Sequence, residues 1–81
     1  HVMERLWALS YFFHKEGSPD ALKWVRKYLK MFLTGKVGYA IGGIRQSAKK
    51  NGLSQFRIDA MEKHLRYFET RKQYMKYDEY L

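Results

Sequence analysis

Apolar side chains return at helical spacing in four separate stretches of the chain. Val2, Leu6, Leu9 and Phe13, with Met3 and Trp7 beside them, predict a first helix over about 2–15, ended by Gly17. Ser18-Pro19-Asp20 is then a start signal: a serine N-cap, a proline whose fixed φ suits the first helical position, and an acid in the positive first turn. The helix it opens runs over 19–34, with Leu22, Val25, Leu29 and Phe32 facing inward and Gly35 as its stop. Val37, Ile41, Ile44 and Ala48 predict a third helix over 37–51. Gly38, Gly42 and Gly43 interrupt it, each costing about 1 kcal/mol relative to Ala. The expected reason for Gly38 and Gly42 is a close crossing with another backbone. After Asn51-Gly52, Ser54 can cap a fourth helix over 54–69, striped by Ile58, Met61, Leu65 and Phe68. Asp59–Lys63 and Glu62–Arg66 stand at i,i+4 on it in the favourable order. The Tyr-rich remainder is expected to end in a short helical turn at 78–81. No two-residue alternation or internal repeat competes, and the connections are short. The fold expected is therefore all-α, a small bundle of four helices in a single domain over 1–81, with successive helices antiparallel.

Composition narrows what such a bundle can do. Eighty-one residues with 46% hydrophobic and 17% aromatic side chains can pack one small core, which argues against disorder. The lack of Cys excludes disulfides, thiolate metal sites and a thiol nucleophile, and fits a cytoplasmic protein. No apolar run approaches the ~20 residues of a membrane span, so a membrane is not an expected partner. Charge changes the picture most. Sixteen Lys and Arg against eight Asp and Glu leave +8, a field that draws polyanions, nucleic acid above all.

The cations gather in two places. Lys23, Arg26, Lys27 and Lys30 share the polar face of the second helix, and Arg45, Lys49, Lys50 and Arg57 surround the Gly52 turn. These eight are the candidate DNA-binding residues. The plainer alternative is a solvated face on a helix that must be polar somewhere, and both readings stay open. The turn at 51–54 also admits a superficial helix-turn-helix reading.

Catalytic patterns are missing. His1, His14 and His64 form no metal-ligand spacing with a carboxylate, and His64 lies near an apolar stripe. It is expected to be a buried or half-buried histidine with one hydrogen-bond partner. The Gly38-x-x-x-Gly42-Gly43 run lacks the Gly-Lys-Ser/Thr ending of a phosphate loop. Trp7 and Trp24 belong to the core before they can serve as stacking platforms. Tyr74, Tyr77 and Tyr80 are harder to bury, and Asp78-Glu79 is the only adjacent acidic pair.

The two ends carry a resemblance. His1-Val2-Met3-Glu4-Arg5-Leu6-Trp7 and Met75-Lys76-Tyr77-Asp78-Glu79-Tyr80-Leu81 resemble blocks of the Kra-type bacterial insertion-sequence transposases, which belong to the DDE enzymes. Between them Glu16-Gly17, Trp24-Val25, Leu33-Thr34-Gly35, Gly43-Ile44-Arg45 and Gly52-Leu53 follow the same order. In that family the first block follows the second catalytic aspartate, and the last precedes the loop to the catalytic glutamate. The resemblance thus implies a helical insertion excised from a larger ribonuclease-H-like enzyme. Both carboxylates would lie outside the chain, so Asp78 and Glu79 would not be catalytic, and His1 would sit beside the parent's site. It further implies DNA and the rest of the parent domain as partners. The parent's Mg²⁺ ions would have no ligand or other cofactor counterpart in this piece. Alone, the chain would be a non-catalytic monomer or weak dimer that assists DNA binding or assembly of the end complex. The alternatives are a stand-alone basic nucleic-acid-binding module and a protein-docking module.

Overall fold

Serine caps and positive-φ glycines cut the chain into its helices. The computed structural model describes residues 2–72. They form α1 (Val2–Ser10), α2 (Pro19–Leu33), α3 (Val37–Lys50) and α4 (Gln55–Arg71). The Ala21 N–H donates to Ser18 Oγ at 3.2 Å, and the Arg57 N–H donates to Ser54 Oγ at 3.3 Å. Each bond satisfies a donor that has no partner inside its own helix. At the other ends Gly35 and Gly52 take φ +75° and +65°, a region that strains any residue with a Cβ. The reversal lets Lys36 N–H donate to Met31 O at 2.8 Å and Leu53 N–H donate to Ala48 O at 3.1 Å. With the bonds that the Gly35 and Gly52 N–H groups donate to Phe32 O and Lys49 O, both helices close in Schellman motifs. No strand occurs among the described residues.

The first helix is shorter than its apolar spacing predicts. It stops at Ser10 rather than near 15, because its carbonyls find other partners. Ser10 is buried and its Oγ donates back to Trp7 O at 2.6 Å. Arg57 Nη2, from the start of α4, donates to Phe12 O at 3.0 Å and Tyr11 O at 3.5 Å. The freed segment folds Phe13 over Trp24, ring centroids 5.8 Å apart. The turn expected at 78–81 and the tyrosines at 74, 77 and 80 lie outside the described residues, as does His1.

Each helix packs against the next, and α4 closes the ring against α1. The directions alternate. Arg5 meets His64 while Phe12 meets Arg57, so α1 and α4 run antiparallel. Phe32 stacks edge-on to Phe68 at 4.8 Å, which brings the C-terminal ends of α2 and α4 together. Hence α1 starts, and α4 finishes, at the same end of the bundle.

The stripes predicted for α3 and α4 face the core: Val37, Ile41, Ile44, Ala48, Met61, Leu65 and Phe68 are all buried. The face of α2 is rotated from expectation. Ala21, Trp24, Val25, Tyr28 and Phe32 are buried, while Leu22 is 39% exposed and Leu29 only packs at the edge. Burying two aromatic rings removes more apolar area from water than burying Leu22 and Leu29 would. The ion pairs differ as well. Glu62 turns to Arg45 on α3 instead of Arg66, and Asp59 accepts from Gln55 Nε2 at 2.8 Å instead of pairing with Lys63.

The close crossing expected at Gly38 and Gly42 is not formed among the described residues. Among the described residues a Cβ on Gly42 would meet nothing within 4 Å, and one on Gly38 would meet only the movable end of Lys72. Gly43 faces the body of α2, with a Cβ there lying 3.5 Å from the Tyr28 hydroxyl. The core of α3 passes through Ala40, Ile41 and Ile44, so Gly42 points to solvent. Its replacement by Ala should therefore raise stability by about 0.5–1 kcal/mol, the helix-propensity gain without a clash. A thermal melt checks this, and an unchanged or lower midpoint would mean that the Gly42 face is covered.

Candidate nucleic-acid interface

Burial of Trp24, Val25 and Tyr28 turns the other side of α2 outward. Lys23, Arg26, Lys27 and Lys30 are all exposed on that side. From Lys23 to Lys30 the helix rises about 10 Å at 1.5 Å per residue. Among the described residues the ion pairs all involve Arg45, so no carboxylate lies within 4 Å of these four. Lys27 Nζ lies 5.2 Å from the Tyr28 ring centroid, a cation–π contact worth only about 0.5–1 kcal/mol at an exposed site, which leaves its N–H groups to solvent. The stripe is thus a row of solvated, movable cations on a rigid rod, which suits contact with successive phosphates.

The second predicted cluster divides. Lys49 and Lys50 are exposed and, with Gln46 and Ser47, line a shallow hollow of about 590 Å³. Arg45 turns away to α4. Its Nε and Nη2 donate to Glu62 at 3.0 and 2.8 Å, a two-pronged contact, and Nη2 also donates to Glu69. Hydrogen bonding to Glu62 and then Glu69 holds the guanidinium charged well above its ordinary range. Arg57, though exposed, lies across the 11–18 connection, donating to the carbonyls of Tyr11 and Phe12 with its guanidinium 5.4 Å from the Phe12 ring. Both arginines are committed within the fold. Of the four cations of this cluster, Lys49 and Lys50 remain free of a partner among the described residues.

The helix-turn-helix reading of 51–54 does not fit either. That motif crosses its helices at roughly 90–120°. Here Gly38 meets Lys72, Arg45 meets Glu62 and Glu69, and Ala48 shares a small hollow with Ile58. These contacts run along the full length of α3 and α4, side by side and antiparallel.

One cluster was not legible in the sequence. Arg5 Nη1 donates to His64 Nδ1 at 3.3 Å, and its guanidinium carbon lies 3.8 Å from the Tyr67 ring centroid. The guanidinium of Arg71 lies 4.0 Å from the same centroid. The i, i+3, i+7 spacing of His64, Tyr67 and Arg71 places them on one face of α4, but only the fold brings Arg5 across from α1. His64 is half-buried with one partner, as expected. Burial first, and the charge of Arg5 second, push its pKa below the ordinary 6.5. Accepting at Nδ1 requires the neutral ring.

That shift has a sign. The unfolded chain takes up the proton before the folded one, so the stabilising contribution of neutral His64 is complete above 6.5. It is lost as pH falls through the lower folded value. Thermal midpoints of parent and His64→Gln chains should therefore converge on acidification from about pH 7.5 to about pH 5. A constant difference would contradict the coupling.

Among the described residues no three of His, Cys, Asp and Glu come together, and no helix is long and apolar enough to cross a membrane. Asp78 and Glu79 lie outside the described residues. No family model, curated protein or solved structure matches the chain.

Proposed function

We propose that the chain is a helical insertion domain of a DDE transposase that holds DNA through the outer face of α2 and carries no catalytic step itself. The observation that carries the DNA-binding part is the row Lys23, Arg26, Lys27 and Lys30, exposed together without a carboxylate beside them among the described residues. Lys49 and Lys50 extend the basic surface at the far end of α3. The insertion part is supported by the blocks at His1–Trp7 and Met75–Leu81. The antiparallel pairing of α1 with α4 supports it too, because α1 starts beside the finish of α4. A domain whose two strands of chain come and go at one end fits into a host fold without disturbing it.

Binding to a short duplex across a series of salt concentrations tests the reading. Four phosphates neutralised predict a slope of roughly −4 in log K against log salt, with little sequence preference. With Mg²⁺ or Mn²⁺ the same chain should neither nick nor join DNA. Metal-dependent nicking abolished by Asp78→Ala would overturn the non-catalytic assignment.

A protein-docking role has one observation in its favour: Tyr39 and Phe56 are 78% and 83% exposed. Under that reading the chain would bind neither heparin nor duplex at low salt.

A further inference from the structure

We propose that Arg5, Tyr67 and Arg71, with His64 at their edge, form a binding site for a phosphate group where α1 starts and α4 finishes. Arg5 and Arg71 both bring a guanidinium within 4.0 Å of the Tyr67 ring centroid, from two different helices. Two like charges are thereby gathered around one aromatic ring, and no carboxylate lies within 4 Å of either among the described residues. The nearest acids along the chain do not resolve this. Glu69 is bound to Arg45, and Glu4 is exposed without an ion pair among the described residues. Lys30, Lys36 and Lys72 lie at the same end of the bundle and add positive charge; of the helix dipoles, the positive end of α1 lies at Arg5 and the negative end of α4 at Arg71, so the side chains rather than the dipoles set the local sign.

The geometry suits an oxyanion with several oxygens. Stacking on an aromatic face leaves the N–H edge of a guanidinium available to acceptors and fixes its plane. Two such edges, with the Tyr67 hydroxyl as a further donor, match the divergent acceptors of a phosphate. His64 holds Arg5 in place by accepting one of its hydrogens. Arg5, Tyr67 and Arg71 are not members of the α2 row, of which only Lys30 lies at this end of the bundle. The phosphate can belong to a nucleic-acid backbone or to a free phosphate or phosphomonoester, and one experiment separates these.

Arginine Nε–Hε signals of the ¹⁵N-labelled chain would be followed while inorganic phosphate, and separately a short duplex, replaces chloride at constant ionic strength. Phosphate should shift Arg5 and Arg71 together. Arg71 is exposed, so Arg71→Gln leaves the fold in place and should weaken phosphate binding about tenfold or more, the loss of one charged hydrogen-bonding group. Arg71→Lys keeps the charge but not the planar fork and should fall between. Arg66→Gln, an exposed arginine elsewhere on α4, should leave the affinity unchanged. Shifts from both ligands identify a backbone phosphate; shifts from inorganic phosphate alone identify a free or terminal one. Absence of shifts from both, or equal weakening by Arg66→Gln and Arg71→Gln, would overturn the site.

Discussion

Replacing Phe32 with Ala should remove most of the stability of this domain. Phe32 is fully buried at the end of α2 and meets Phe68 of α4 edge-on at 4.8 Å. It therefore joins two helices that are not neighbours in the ring. Truncating a buried Phe costs about 3–5 kcal/mol through lost transfer energy and the cavity left behind. An edge-to-face pair adds about 0.5–1.5 kcal/mol beyond burial. A chain of this length typically has only about 4–12 kcal/mol in total. The thermal midpoint should fall by at least about 15 °C, at roughly 4–8 °C per kcal/mol. Phe32→Leu, which keeps most of the volume, should lose far less. A circular dichroism melt decides it. A Phe32→Ala chain melting within a few degrees of the parent would mean that the α2–α4 contact is not part of the core. In a double-mutant cycle with Phe68→Ala, the paired loss should be less than the sum, because each change already removes the contact.

That contact shows where sequence reading succeeds and where it stops. Phe32 and Phe68 are each recognisable as inward residues from helical spacing, but their partnership joins stripes thirty-six positions apart, and spacing carries no such information. The caps were legible because they are local: Ser18, Ser54, Gly35 and Gly52 act on residues within a turn of themselves. The end of α1 was not, because the group that takes the carbonyls of Tyr11 and Phe12 is Arg57, far along the chain. On α2 two apolar phases were available, one through Leu22 and Leu29 and one through Trp24 and Tyr28. Packing against Phe13 and the Gly43 side of α3 selects the second. The glycines of α3 misled for the opposite reason. Small residues permit close approach, yet whether a neighbour uses the space depends on which side of the helix faces it.

The candidate site follows the same division. Helical spacing alone places Lys23, Arg26, Lys27 and Lys30 on one face, and they share it in the fold. Arg45 and Arg57 stand equally well on basic faces in the sequence, but carboxylates of α4 and carbonyls of the 11–18 connection engage them. Formal charge counts cations; only the fold shows which ones are already committed. This distinction changes the mutational experiment for DNA binding.

Changing Lys23, Lys27 and Lys30 together to Gln should abolish most of the DNA affinity at low salt. Three lost phosphate contacts take about 2.7 from the slope of log K against log salt, leaving it near −1. Between 50 mM and 1 M salt that difference amounts to a weakening on the order of a thousandfold at the lower concentration, vanishing toward the higher. All three side chains are exposed and outside every ion pair of the described residues, so the melting midpoint should barely move. Lys49 and Lys50 changed to Gln form the comparison for the surface at the end of α3. Should that surface also touch DNA, its slope falls by about 1.8; should it not, binding stays as in the parent. Arg45→Gln behaves differently from either. It leaves Glu62 and Glu69 without their partner and lowers the melting midpoint, while the salt slope stays unchanged because Arg45 is turned toward α4. A parent chain that fails to bind duplex at 50 mM salt, or an α2 triple variant that binds with the parent's slope, would remove DNA contact from the function of this face. The row of cations would then serve only to keep α2 solvated, and the exposed Tyr39 and Phe56 would become the surfaces to test against a protein partner.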